Sequence, residues 1–285
     1  MKKLYSLLLS ILSFIVSNAQ TFEEKISEKS CECIKNLKEI NNENNRNCIS
    51  IAMSEITIDD DSFLKTISTV EGVNSTFKKV DSILKKTCNV IINSIENKKE
   101  KFYSDSKNET AYSFFLTSTD MLQQENYDIA IEGFLIAIDL DKNYVKAYDH
   151  LAICYRKKNQ LDKAIKYYKK SLEIFPEGDL ALMNIGVIYR IMEDYKESIK
   201  YYSKLVDYYP NNAEGYFGLS QNYLMLNDEE KALDNIFKAY KIYTIQDSHY
   251  KKDAELIINI IQEILKSRNQ ENIFKKIADE NNIII

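Results

Sequence analysis

From residue 111 onward, small, apolar and polar positions recur with a period of 34. Laying 111–144, 145–178, 179–212 and 213–246 under one another aligns the small residues Ala130, Ala164, Ser198 and Ala232, with Ser118, Ala152, Gly186 and Ser220 earlier in each stretch. Large residues fall into columns as well: Met121, Tyr155, Tyr189 and Tyr223 in one, Phe134, Tyr168, Tyr202 and Ile236 in another. A third column holds Ala137, Ser171, Leu205 and Ala239, and Lys142, Pro176, Pro210 and Thr244 close each stretch. Within a stretch the spacing is helical and is broken once by a polar turn such as Gln124-Glu125-Asn126 or Asn227-Asp228, so each predicts two helices joined by a short turn. A small residue on each helix lets the pair approach to about 8–10 Å, and an aromatic from the facing helix fills the space beside it.

One such hairpin cannot cover its own apolar face, so neighbours must stack, and at least about three are needed for stability. On Tyr148, Leu151, Ala152, Tyr155, Ala164, Tyr168, Ser171 and Pro176, and next on Ile185, Gly186, Tyr189, Ser198, Tyr202 and Pro210, the chain resembles the tetratricopeptide repeat (TPR) family. The outer stretches depart from the pattern at Thr117, Lys142, Glu229 and Thr244, as terminal repeats do. The resemblance implies an all-α solenoid of four helix-turn-helix repeats. A further amphipathic stripe, Ile257, Ile260, Ile261, Ile264 and Leu265, predicts capping within 247–285, and its added Leu256 and Ile258 leave self-association as an alternative.

The resemblance also implies that the first helix of each repeat lines a concave groove. Its positions are Tyr112, Phe115 and Thr119; Lys146, Asp149, Ile153 and Arg156; Leu180, Met183, Val187 and Arg190; and Glu214, Phe217 and Gln221. The binding residues expected are Phe115, Ile153, Arg156, Leu180, Met183, Val187, Arg190, Phe217 and Gln221. Such an apolar lining with two arginines suits an amphipathic helix or extended peptide, the arginines reading an acidic residue or terminus. The lysine and asparagine clamp by which some relatives hold a free C-terminal carboxylate has no counterpart here. The competing expectation is that this surface is covered from within, by neighbouring helices, the N-terminal domain or the Ile283-Ile284-Ile285 tail.

Residues 20–97 lack the period and carry Cys31, Cys33, Cys48 and Cys88, whereas the fifth cysteine, Cys154, falls inside the second repeat. Helical segments are expected near 22–40, 46–57, 62–70 and 73–97, followed by a charged linker over 98–110. Four cysteines in a small exported domain predict two disulfides, with three connectivities open. Of these, Cys33–Cys48 staples a hairpin across the Asn41–Asn47 turn, and Cys31–Cys88 ties that hairpin to the last helix. A four-cysteine zinc site is the alternative, but Cys-Glu-Cys leaves one residue between ligands where zinc knuckles use two or more. A redox pair is a further alternative, without the Cys-x-x-Cys spacing.

Composition agrees with helices: 45% of the 285 residues are hydrophobic, and six glycines and two prolines leave too few turns for an all-β fold. Lys2-Lys3, the apolar run Leu4 to Val16 and Ser17-Asn18-Ala19 read as a signal peptide over 1–19, which places the mature chain in the periplasm or outside the cell. Its removal takes the formal net charge from −5 to −7, a balance that repels nucleic acid and anionic lipid. Asp59-Asp60-Asp61 lacks the glycine and downstream glutamate of a calcium loop and reads as helix capping. With His150 and His249 as the two histidines and no glycine-rich phosphate loop, no catalytic residue, metal or cofactor is expected. The function expected is that of an exported protein-binding scaffold; a redox or enzymatic accessory using the N-terminal cysteines and a structural homo-oligomer subunit are the alternatives.

Overall fold

The computed structural model describes residues 20–40, 42–57 and 61–283, so the expected signal peptide, Asp59, Asp60, Ile284 and Ile285 lie outside the described residues. The chain divides into two compact units, one ending at Ser94 and the other starting at Ile95.

In the first unit, α1 (Phe22–Lys35) opens with a capping box in which the Thr21 hydroxyl accepts from the Glu24 N–H and Glu24 accepts from the Thr21 N–H. It packs against α2 (Asn42–Thr57) and α4 (Val70–Thr87), with the short α3 (Asp61–Thr66) between these in sequence. Ile26, Ile34, Ile49, Phe63, Val80 and Leu84 form the buried interior. Disulfides join Cys31 to Cys88 and Cys33 to Cys48 across 57 and 15 residues. On chain entropy alone, loops of that size are worth about 4 and about 3 kcal/mol, a large share of the stability of so small a unit.

The segment expected as one helix over 73–97 is two. Cys88 adopts an extended conformation (φ −89°, ψ 100°) that ends α4, and α5 (Asn89–Phe102) begins beside it. The buried Cys88 spends its backbone freedom on reaching Cys31 rather than on continuing the helix. The first half of the expected linker is likewise helical, since α5 runs to Phe102.

The second unit contains α6 (Glu109–Gln123), α7 (Tyr127–Leu140), α8 (Val145–Lys157), α9 (Leu161–Ile174), α10 (Asp179–Ile191), α11 (Tyr195–Tyr208), α12 (Ala213–Met225) and α13 (Glu229–Ile245). These stack as successive hairpins, each helix against the next. Every hairpin turn places one residue in the left-handed region, Glu125, Asn159, Glu193 or Asn227 (φ 56–61°), and these lie 34 apart. The following N–H reaches back to the carbonyl of Met121, Tyr155, Tyr189 or Tyr223, closing the first helix of each pair in the same way.

The predicted core columns are inside. Ala130, Ala164, Ser198 and Ala232 are fully buried, as are Ala137, Ser171, Leu205 and Ala239, while Phe134, Tyr168, Tyr202 and Ile236 fill the space between helices. The size alternation is tightest at Tyr202: a Cβ on Gly186 would lie 2.8 Å from its ring, and one on Gly218 2.4 Å. After α13, α14 (Lys251–Ser267) buries Ala254, Ile257, Ile261 and Leu265, and α15 (Glu271–Glu280) buries Phe274, Ile277 and Ala278. Ile283 is half-buried against this same core. Among the described residues, no helix is long and apolar enough to cross a membrane.

Candidate functional site

The first helices of the pairs, α6, α8, α10 and α12, carry the expected binding residues. Ile153 on α8, Leu180, Met183 and Val187 on α10 and Phe217 on α12 are half-buried, their inner faces packed on the core and the remainder open to solvent. Gln221 is half-buried as well, and Phe217 meets the ring of Tyr243 edge-on. Phe115 stands apart. It is 6% exposed and lies 5.0 Å from both Tyr144 and His150 and 5.7 Å from Phe134, so it belongs to the aromatic core of the first pair and not to an open lining. The cause is its neighbours: three rings converge on a position where α10 presents the unbranched Met183.

Arg156 and Arg190 occupy equivalent places at the ends of α8 and α10, half-buried, and neither Nε has a hydrogen-bond partner among the described residues. Each lies beside a core tyrosine. Arg156 acts on Tyr168, whose hydroxyl is also buried without a partner, and Arg190 acts on Tyr202, whose hydroxyl burial pushes up to about 12 against the pull of the arginine.

The opposite ends of α8 and α10 are covered by a strap from the same unit, residues 98–106. Phe102 stacks on Phe175 at 5.0 Å, and Tyr103 meets that ring edge-on. Lys98 pairs with Glu177 at 3.0 Å, Lys99 with Asp179 at 2.6 Å and Asp105 with Lys146 at 2.7 Å, and Ser106 donates to Asp141. At the centre, the Tyr103 hydroxyl donates to Asp149 Oδ2 at 2.8 Å. Asp149 is fully buried; burial raises its pKa to about 7, with nearby Asp179 adding to the rise and Tyr103 and Ser171 opposing it. Asp149 Oδ1 and Ser171 Oγ are both buried, and Ser171 lies close enough to Asp149 to hold its carboxylate pKa down.

The strap was missed from the sequence because residues 98–106 lie outside the repeat. One signal for it existed. In the column Phe115, Asp149, Met183, Phe217, only Asp149 is charged, and in the column of Ala137, Ser171, Leu205 and Ala239, Ser171 is the polar member of the same pair. Two polar residues on one pair at apolar columns require a polar partner from elsewhere.

The remaining reactive groups are packed away. Cys154 is fully buried and its thiol is pushed up to about 12, which leaves no thiolate at neutral pH. Burial also lowers the pKa of His150, whose Nδ1 lies 2.8 Å from the Lys146 carbonyl; the ring is therefore neutral and donates from Nδ1. The four cysteines proposed as zinc ligands or redox thiols are consumed by the two disulfides. Among the described residues, no three His, Cys, Asp or Glu side chains are grouped to hold a metal. The surface is that of a binding scaffold: apolar side chains with two arginines beside them.

Residues 145–177 and 179–212 match two models of the tetratricopeptide repeat. No curated protein matches the chain. Among solved structures, it is similar to a tetratricopeptide repeat protein from Parabacteroides merdae ATCC 43184, at 16% identity over 61% of this chain and 67% of that one, with a TM-score of 0.51. It is similar also to the MamA protein, at 16% identity over 61% of this chain and 93% of the other, with a TM-score of 0.50. These likenesses are of fold, and they agree with the 34-residue spacing of the left-handed turns and with the glycine–tyrosine interlock of α10 to α12. The chain thus carries tetratricopeptide repeats over 145–177 and 179–212 within an all-α solenoid, which is preceded in sequence by a small disulfide-stabilised helical region.

Proposed function

We propose that the chain is an exported, non-enzymatic scaffold of four tetratricopeptide repeats, 111–144, 145–178, 179–212 and 213–246, which binds a peptide or protein segment along α8, α10 and α12. The observation that carries this reading is the surface of the first helices. Ile153, Leu180, Met183 and Val187 keep part of their apolar area in water, and Arg156 and Arg190 stand beside them without carboxylate partners. The strap takes the other end of α8 and α10, which confines a ligand on those helices to the arginine side. Export is supported by the signal-like residues 1–19 and by two disulfides, which persist in oxidising compartments.

The test is crosslinking mass spectrometry of the tagged protein in its native compartment, beside a Met183→Glu, Val187→Glu variant. A partner crosslinked to α8–α12 and lost in the variant is the expected result; crosslinks confined to the chain itself or to identical chains would remove the groove from the account. A second reading, a homo-oligomer, is favoured by Leu256 and Ile260, which are 60% and 43% exposed on α14. It predicts a mass in sedimentation that rises with concentration and reverts to that of the monomer in Leu256→Lys.

A further inference from the structure

The outer face of the first hairpin breaks the plan of the next two. On α9 the exposed side chains are all charged, Lys163, Lys166 and Lys170 among them, and on α11 they are Lys196, Lys200, Lys204 and Asp207. In the same columns α7 holds Ile129 against Lys163 and Glu197, Leu135 against Lys169 and Ser203, and Ile136 against Lys170 and Lys204. Ile129 is 58% exposed and Ile136 41%, and Leu135 and Leu140 are exposed with them. Ile129, Ile136 and Leu140 share one helical face, a stripe about 17 Å long at 1.5 Å per residue. Single exposed apolar residues are ordinary, but the end of a repeat array needs a polar outer face, and a helix that is apolar on both sides calls for cover on both.

The charge beside the stripe narrows what covers it. α6 and α7 contain no lysine or arginine, and the acids Asp128, Glu132 and Asp139 lie on the same exposed side of α7. Asp128 and Asp139 pair with Lys158 and Lys142 yet stay largely exposed. Two such faces would bring like charges together, which makes α7 a poor mate for α7. Among the described residues, α14 carries the one other pair of exposed large apolar side chains spaced i,i+4, Leu256 and Ile260. Half-buried Ile264 extends that row, and the exposed Lys252 stands one turn before Leu256. Within one chain the two rows cannot meet, since α8 to α13 lie between them in the stack.

We infer that a second copy of this chain covers the outer face of the first hairpin, its Leu256 and Ile260 lying along Ile129, Ile136 and Leu140 with Lys252 against the α7 acids. The inference rests on the homo-oligomer reading above and names its two faces. Because the faces differ, every copy in a pair leaves one unused, so association is head-to-tail and adds copies until a ring closes or a filament grows. It uses none of the residues assigned to a ligand on α8, α10 and α12.

Sedimentation velocity of the protein purified from its native compartment tests this with two variants, each removing one face. Ile129→Lys with Ile136→Lys installs the lysines that α9 has at both places, and Leu256→Lys alters α14. The wild-type mass is expected to rise with concentration past that of a dimer, while each variant alone associates about tenfold more weakly or worse. An equal mixture of the two should form a 1:1 dimer and nothing larger, because the intact α14 of one meets the intact α7 of the other. Circular dichroism melts that match the wild type qualify each variant, and Ile136→Gln or Leu256→Gln replaces one that melts early. A mixture that stays monomeric, or an α7 variant that associates like the wild type, would overturn the inference. If Leu256→Lys alone loses association, the homo-oligomer stands as an α14–α14 contact and the head-to-tail arrangement falls; a wild type that is monomeric at every concentration removes both.

Discussion

The hairpins α8/α9 and α10/α11 are built on one 34-residue plan and solve the same packing problem with opposite chemistry. In α10/α11 the interior is filled by size: Gly186 and, from the next hairpin, Gly218 leave a slot for the ring of Tyr202, with Met183 and Leu205 completing an apolar surround. In α8/α9 the equivalent places hold Ala152, Tyr168, Asp149 and Ser171, with Asn184 from the next hairpin, and the interior is polar. Only a strap from outside the repeat closes that interior, with Tyr103 on Asp149 and the Phe102 ring on Phe175. A solenoid thus accepts a polar core position where a neighbouring segment supplies the missing partner, and that pair becomes the place where the fold depends on its surroundings.

The largest effect should come from emptying the two slots. Tyr202→Ala and Tyr168→Ala are each expected to cost about 3–5 kcal/mol in urea unfolding, with Tyr202→Ala the more costly, because the glycine backbones around it have no side chains to move into the cavity. A larger loss at Tyr168 would break the size-against-polarity contrast.

Next is the titration of Asp149. Its folded pKa, about 7, lies above the roughly 4 of an exposed aspartate, so between these values the folded chain holds a proton that the unfolded chain has released. The stability this group contributes is therefore complete below about pH 4 and lost as pH rises to about 7, by a few kcal/mol. Asp149→Asn, which keeps an acceptor for Tyr103, should remove this slope and be the more stable protein at pH 8. An unchanged slope would locate the titration elsewhere. No such slope is expected from α10/α11, where Met183 takes the place of the acid.

Filling the glycine slot comes third. Gly218→Ala places a methyl group within 2.4–2.6 Å of the Tyr202 ring and should cost about 1–3 kcal/mol. The same substitution should be relieved when Tyr202 is shortened to Leu, a coupling measurable by a double-mutant cycle. The smallest effect is that of Tyr103→Phe, which keeps the aromatic edge on Phe175 and removes only the donor to Asp149. A loss of about 1 kcal/mol below pH 7, increasing above it as the carboxylate ionises, is expected in the same unfolding assay.

Much of the solenoid was legible in the sequence. The small and aromatic columns, the helix pairs and the turn positions recur at 34-residue intervals, so each stretch supports the reading of the others, and residues such as Ala164 and Tyr168 are buried where the columns place them. The candidate face was legible only in part. Ile153, Met183, Val187 and the two arginines are half-open, but Phe115 is drawn into the core by Phe134, Tyr144 and His150, a convergence that depends on the particular side chains of one pair. The break at Cys88 was hidden because the helical pattern continues on both sides of it.

By itself, then, the amino-acid sequence determined the helical class, the repeat and its core columns, since these follow from local periodicity and from the sizes of side chains that meet again every 34 residues. Tertiary structure alone decided which cysteines are joined, that the chain's own strap takes one end of the first helices, and that Asp149 is a buried acid. Each of those outcomes is a contact between segments distant in the chain, 46 residues apart for Tyr103 and Asp149 and 57 for Cys31 and Cys88, and a single such contact leaves no repeating mark on the sequence.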